Sequence, residues 1–149
     1  MHLKKLLAEG QLRKHKTSAG EIVELLAIVE RDLKDANQPD LSVDRRFTTA
    51  YNAALQLATI ALHAAGYRTV GGGHHWATLH VLPEIMGSKA QKRRDYLDAC
   101  RTKRNVADYD RAGEISETEL TEILDETRKF RADLLEWLRT RHPNLLSHE

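Results

Sequence analysis

Apolar residues recur every three or four positions along most of the chain, the spacing of one face of an α-helix. The first strong run follows Ser18, which forms a capping-box pattern with Glu21, and it ends before Pro39. A weaker helical segment lies around residues 2–14, where Gly10 interrupts it. The stripe of the strong run consists of Ile22, Leu25, Leu26, Val29 and Leu33.

The next predicted helix is apolar around much of its circumference, which is typical of a helix at the centre of a bundle. It begins at Ser42 and ends at Gly66, a residue type suited to the end of a helix. The apolar and aromatic residues are Phe47, Tyr51, Ala54, Leu55, Ala58, Ile60, Ala61 and Leu62.

A glycine-rich insert, residues 67–88, follows this helix. The run Gly71–Gly73 predicts a flexible linker, since it lacks the preceding strand and the lysine of a phosphate-binding loop. A short helix is predicted from Trp76 to Ile85, although Pro83 fits poorly near its end.

Two more helices complete the pattern. One ends near Asp110, and the last runs from a second capping box, Ser116 with Glu119, to Pro143. Neither strand alternation nor an internal repeat is evident. We therefore predict an all-α fold, an antiparallel four-helix-type bundle with a short extra helix in the insert. A single domain, residues 1–149, has its core at about residues 18–140, with residues 1–17 and 143–149 peripheral.

Composition narrows the choice of function. The 149 residues include 23 basic and 22 acidic side chains, so any contact with nucleic acid must be local rather than a broad electrostatic coat. Cys100 is the single cysteine, which rules out an intrachain disulfide and fits a reducing compartment. No stretch approaches the ~20 apolar residues that span a bilayer. We expect a cytoplasmic protein without membrane contact.

Arg104 breaks the apolar stripe of the third long helical pattern, the one that ends near Asp110. Leu97, Cys100, Arg104 and Ala107 share one face, and an unpartnered buried guanidinium is costly. We therefore expect the Arg104 guanidinium to pair either with another protein group or with a ligand. Its fork of donors suits phosphate or carboxylate. Asp108 lies one turn further on, so an ordinary Arg–Asp surface pair is the simple alternative.

The segment "RNVADYD", residues 104–110, resembles the signature helix of the HEPN superfamily (higher eukaryote and prokaryote nucleotide-binding domains). The long helix with "RRFTTAYNAALQLATIALHAAGY", residues 45–67, resembles the family helix that carries polar residues toward the same cleft. The resemblance spans about residues 18–140. It implies a helical bundle in which two protomers form a composite, metal-independent ribonuclease cleft. Other members bind nucleotides or pair with a small nucleotidyltransferase, and many have lost activity.

The chain departs from both known variants of the family motif. Arg104 and Asn105 match, but Tyr109 stands where the histidine that acts on the 2′-hydroxyl is expected. A phenol, with an ordinary pKa of about 10, is a poor general base at neutral pH. The tyrosine found two residues further on in some members is Arg111 here. Tyr109 could orient a phosphate, stack on a base or cap the edge of the bundle.

Other residues are candidates for the same cleft. Arg94, Arg101 and Arg104 could form a phosphate track, joined by Arg46 and Asn52 from the long apolar helix. Asn52 could equally form a hydrogen bond inside the bundle. The histidines of the insert, His74, His75 and His80, offer a substitute base, but their number and spacing argue against a metal site. We assign His63 to the core and predict neither cofactor nor metal.

Three functions remain open after this step. The first is a HEPN-like protein that binds RNA or a nucleotide, either non-catalytic or a component of a toxin–antitoxin or defence system. The second is a metal-independent ribonuclease with a composite dimer site around Arg104, in which Arg104, Asn105, Asp108 and Tyr109 are the candidate catalytic residues. The third is a structural or interaction bundle. We expect a homodimer, with a partner protein encoded nearby as a further candidate.

Overall fold

The computed structural model describes residues 2–71, 75–105 and 113–146. Four long helices form its body: α2 (Ala19–Ala36), α3 (Val43–Ala64), α6 (Gln91–Asn105) and α7 (Glu117–Arg141). The shorter elements are α1 (His2–Ala8), β1 (Leu12–Lys14), β2 (Tyr67–Thr69), α4 (His75–His80), α5 (Leu82–Met86) and two 3-10 turns, Ser88–Ala90 and Pro143–Leu145. The predicted all-α bundle is confirmed. None of the helices in these ranges is long and apolar enough to cross a membrane.

The helix α3 is the centre of the core, as its apolar circumference predicts. It packs against α2, α6 and α7. Several of its buried positions are alanines, so neighbouring helices can approach closely. Its buried residues are Phe47, Ala50, Tyr51, Ala53, Ala54, Leu57, Ala58, Ile60, Ala61 and Leu62.

The helix ends follow the sequence signals. Ser18, Ser42 and Ser116 each accept a hydrogen bond from the backbone N–H three residues on. Glu119 completes the capping box of α7, because its carboxylate accepts from the Ser116 N–H at 3.0 Å. Glu119 also pairs with Lys103, which ties α6 to the start of α7.

Two strands were not predicted. β1 and β2 form an antiparallel pair in which Leu12 lies opposite Thr69 and Lys14 opposite Tyr67. Each strand has three residues, which is too short to show an alternating pattern. The pair joins the first residues of the chain to the bundle, and Leu6 and Leu12 are buried with Leu62.

The insert also differs from the prediction of one helix from Trp76 to Ile85. It folds as two helices, α4 and α5, which meet at Val81. Pro83 lies in the first turn of α5, where the missing N–H and the fixed φ angle cost little. The proline that fits poorly inside one helix therefore begins a second one.

Candidate functional site

Arg104 lies in the last turn of α6, and its guanidinium covers an aromatic ring. Leu97 and Cys100, which precede it on the same stripe, are buried, whereas Arg104 is half-buried. The guanidinium carbon is 5.9 Å from the centroid of the Tyr51 ring on α3, within the range of a cation–π contact. The buried stripe thus continues into an amphipathic contact between α6 and α3. Ala107, the next predicted position, lies outside the described residues.

An open cavity of about 290 Å³ lies beside this contact. α6 supplies Arg101, Arg104 and Asn105, and α4 supplies His75 and Trp76. α4 is held against the bundle by the buried residues Ala77, Thr78 and Leu79. Its first two residues can therefore lie at the surface while its middle is fixed.

Positive charge dominates the cavity wall. Arg101 donates to the Asp98 carboxylate at 3.0 Å, a pair that neutralises part of its charge. Arg104 Nη1 lies 3.5 Å from Asn105 Oδ1, at the limit of a hydrogen bond. Two guanidinium groups at one opening form a local patch of positive charge on a chain whose formal net charge is only +1.

His75 brings an imidazole to the same cavity. Its Nδ1 lies 3.5 Å from the hydroxyl of Tyr51. Burial, followed by the charges of Arg104 and Arg101, lowers the pKa of His75 below its ordinary value of 6.5. Burial raises the pKa of Tyr51 well above 10, so the phenol stays protonated. The cavity therefore contains a neutral imidazole at neutral pH, which is the form that can accept a proton.

Trp76 is the exposed aromatic residue of the cavity. The residue is 44% exposed, and one face of its ring stacks on His80 with ring centroids 4.4 Å apart. Trp76 also borders a neighbouring cavity of about 210 Å³ that contains Arg94, Asp95 and Asp98. An exposed indole between two polar cavities can stack on a planar ligand.

The structure brings together some of the predicted site residues. Arg101, Arg104 and Asn105 line one cavity. Arg46 donates instead to the Ala36 carbonyl at 2.8 Å, at the end of α2, and neither it nor the half-buried Asn52 is among the described residues that line the cavity. Asp108, Tyr109, Arg111 and His74 lie outside the described residues.

Sequence reasoning missed the role of Trp76 as a cavity residue. It placed Trp76 at the start of a helix and gave attention to the neighbouring histidines. The signal was present, because a tryptophan directly after His75 on a short, glycine-preceded helix is poorly placed for complete burial. Only the packing of α4 on α6 shows that Trp76 and Arg104 share a cavity.

A second polar cluster lies where β1, α2 and α3 meet, and we call it the His15–Glu21–His63 cluster. Glu21 Oε1 lies 2.8 Å from His15 Nε2 and 2.8 Å from His63 Nδ1, and it accepts from the Thr17 hydroxyl at 2.7 Å. Burial alone would raise the pKa of Glu21, but hydrogen bonds from His15, Thr17 and His63 lower it to about 2. His63, assigned to the core from its sequence neighbours, is thus a partner of Glu21.

This cluster predicts that acid weakens the fold. The pKa of Glu21 falls from 4.5 to about 2 on folding, so its stabilisation is complete above pH 4.5 and is lost as the pH falls toward 2. The full shift corresponds to about 3 kcal/mol, but the side chain is 33% exposed, and solvent screening reduces this to about 1–2 kcal/mol. The pKa of His63 is lowered, chiefly by burial, so proton uptake below pH 6.5 acts in the same direction.

Urea denaturation in EDTA at pH 7 and at pH 3 measures the effect. Glu21→Gln is expected to lower the free energy of unfolding at pH 7. At pH 3, most of this difference in unfolding free energy between the variant and the wild type should disappear. Besides His15 and His63, Arg68 of β2 acts on the cluster through its charge. Glu24→Gln, an exposed change on the same helix, is the matched control. An equal effect of both substitutions at both pH values would contradict the prediction.

Comparison of the chain with protein-family models, with curated proteins and with solved structures finds no match.

Proposed function

We propose that this protein binds RNA or a nucleotide in the cavity between α4 and α6, as a HEPN-like protein. One observation carries the proposal: Arg101 and Arg104 line the same cavity as the exposed indole of Trp76. Guanidinium groups bind phosphate, and an exposed aromatic face binds a base. The resemblance of residues 104–110 to the HEPN signature supports the same ligand class.

Each residue has a distinct task in this proposal. Arg104 and Arg101 contact phosphate oxygens, and Trp76 stacks on a base. The Asn105 amide, which both donates and accepts, forms hydrogen bonds with a base edge or the ribose. Stacking of this kind contributes about 1–3 kcal/mol per base and depends little on sequence. The expected ligand is therefore single-stranded RNA or a free nucleotide, since bases in a duplex are not available for stacking.

Titration of fluorescent single-stranded RNA at several salt concentrations tests the proposal. Arg104→Ala is expected to weaken binding by about 10-fold or more and to reduce the slope of log K against log salt by about 0.7. Trp76→Ala is expected to weaken binding by about 10-fold without changing that slope, because an indole displaces no counterions. A series of mononucleotides then separates a nucleotide site from an RNA site.

Two controls separate binding from folding. Arg139→Ala removes an exposed arginine of α7 whose partner is Glu136, so it changes the net charge equally and lies outside the cavity. Arg104→Lys keeps the charge but loses the fork, and intermediate affinity is expected. RNA affinities of Arg104→Ala and Trp76→Ala equal to that of Arg139→Ala would exclude the cavity as the binding site.

A metal-independent ribonuclease is the second candidate, and His75 favours it. This chain has Tyr109 where the family motif has its histidine, but the neutral imidazole of His75 lies in the same cavity as Arg104. In this mechanism His75 takes the proton of a ribose 2′-hydroxyl, and the 2′-oxygen forms a bond to phosphorus. The bond from phosphorus to the 5′-oxygen breaks, and that oxygen takes a proton from water. Arg104 stabilises the charge that develops on the phosphate oxygens.

The proposed assembly is a homodimer in the cytoplasm. The cavity is open, and the exposed face of Trp76 leaves room for a second copy or a partner protein to close it. Burial raises the pKa of the Cys100 thiol to about 11, so this cysteine is an unreactive core residue that suits a reducing compartment. A structural bundle without a nucleic-acid role is the third candidate, and loss of all RNA and nucleotide binding would favour it.

A further inference from the structure

We propose that the His15–Glu21–His63 cluster is a binding site for a divalent transition metal of the zinc class. Its three potential ligand atoms, two imidazole nitrogens and one carboxylate oxygen, all lie within 4.8 Å of one another. None of the three residues belongs to the cavity between α4 and α6. The inference therefore stands independently of the proposed RNA or nucleotide binding.

Three separate elements position these ligands. His15 follows β1, and its backbone N–H donates to the Gly66 carbonyl at 2.9 Å. Glu21 lies in the first turn of α2, where its N–H donates to the Ser18 hydroxyl at 3.1 Å. His63 lies in the last turn of α3. Strand pairing and helix capping thus fix the backbone of the site without any metal, which lowers the ordering cost of binding.

The ligand set and its spacing suit zinc. Two histidines and one glutamate form a known zinc ligand set, in which the protein supplies three ligands and water takes the fourth position. Tetrahedral geometry with bonds of about 2.0–2.2 Å places ligand atoms about 3.3–3.5 Å apart. Each imidazole nitrogen now lies 2.8 Å from Glu21 Oε1, so each of these two distances would open by about half an ångström around the ion.

The charges and the solvent exposure of the site also permit a metal. The carboxylate of Glu21 supplies a negative charge to the ion, while the charge of Arg68, which acts on His63, opposes it. The side chains of His15, Glu21 and His63 are 18%, 33% and 16% exposed, so both an ion and a water ligand can reach them. The Thr17 hydroxyl, which donates to Glu21 Oε1, would orient the carboxylate as an outer-shell group.

A metal at this site would hold the first residues of the chain against the bundle. His15 lies at the end of the segment that contains α1 and β1, whereas Glu21 and His63 belong to the long helices. The competing interpretation is a purely hydrogen-bonded cluster in which both imidazoles donate to the carboxylate. Zinc binding requires each ligating nitrogen to lose that proton to the other ring nitrogen or to solvent.

The test uses the whole 149-residue chain without a histidine tag, stripped of metal with EDTA and dialysed. Zn²⁺ is titrated against a chromophoric chelator, and Co²⁺ is used to read the coordination geometry from its visible spectrum. We expect one saturable site per chain, a rise in Tm with Zn²⁺, and the intense visible bands of four-coordinate Co²⁺. NMR chemical shifts of the His15 and His63 rings are expected to change on Zn²⁺ addition.

Variants then assign the site to residues. Glu21→Gln and His63→Gln are expected to abolish the stoichiometric binding, and Thr17→Val to weaken it by about 10-fold. The control is His142→Gln, which removes an imidazole that contacts Trp137 and does not belong to the cluster. The Zn²⁺ affinity of this variant should equal that of the wild type. Absence of saturable Zn²⁺ binding to the wild type would overturn the proposal. Binding that survives in Glu21→Gln and His63→Gln would also overturn it.

Discussion

Replacement of His75 by glutamine is expected to abolish any RNA cleavage by this protein while RNA affinity stays close to that of the wild type. In the proposed ribonuclease mechanism His75 would be the base, and loss of such a group costs about 10²–10⁴-fold in rate. Glutamine retains polarity and size but cannot accept the proton. A gel assay of 5′-labelled RNA in EDTA, with affinity measured in parallel, separates loss of chemistry from loss of binding.

The pH profile gives this prediction a second readout. The pKa of His75 is lowered from 6.5 by burial and by the charges of Arg104 and Arg101, so the imidazole stays neutral at pH values where an ordinary histidine is protonated. Cleavage is therefore expected to persist below pH 6.5 and to decline only as the pH falls through the lowered pKa. Arg104→Ala should slow cleavage, because it removes a charge that stabilises the phosphate. It should also shift the decline in cleavage to higher pH, because the charge of Arg104 no longer lowers the pKa of His75.

Several outcomes would exclude His75 as the base. His142→Gln serves as the matched control, since it removes a histidine from the end of α7. Equal cleavage by His75→Gln and His142→Gln would assign the activity to another group or to a contaminant. No cleavage by the wild type, at high protein concentration and over long times, would leave RNA or nucleotide binding as the function of the cavity.

The long helices could be predicted because their signals are local. Each of the helices α2, α3 and α7 has its own apolar stripe, a serine cap just before it and a glycine or proline soon after it. The sequence alone therefore predicts these three helices. The inward position of Arg104 was also visible, because Leu97 and Cys100 define the buried face. The sequence could not show that the ring of Tyr51 covers the guanidinium, since this contact joins residues 53 positions apart on two helices.

The parts that could not be predicted depend on contacts between distant residues. The strands β1 and β2 exist because residues 12–14 meet residues 67–69, and three residues alone carry no strand pattern. The His15–Glu21–His63 cluster joins Glu21 to a histidine 42 positions later. His63 lies on an otherwise apolar helix, where a core assignment was reasonable. Its charged partner comes from another helix, which no periodicity of α3 can reveal.

Truncation of Phe130 to alanine is expected to cost about 3–5 kcal/mol of unfolding free energy. Phe130 lies on α7 with 0% of its surface exposed, in the same core cluster as Tyr51 and Leu57 of α3. Its ring also lies 4.9 Å from the guanidinium carbon of Arg93, which pairs with Asp133 at 3.0 Å. Alanine would leave a void beside a charged group, so the loss of packing and the loss of the cation–π contact add together.

The loss of stability in Phe130→Ala can be measured separately from RNA binding in the cavity between α4 and α6. A domain of this kind has a total stability of about 5–15 kcal/mol, so Phe130→Ala removes a large share but should still fold at low temperature. Phe130 does not line the cavity, and RNA affinity of the folded variant should equal that of the wild type. Val23→Ala, at a position that is 43% exposed, should change stability by less than about 0.5 kcal/mol. Equal urea midpoints for Phe130→Ala and Val23→Ala would mean that α7 does not form the core described for it.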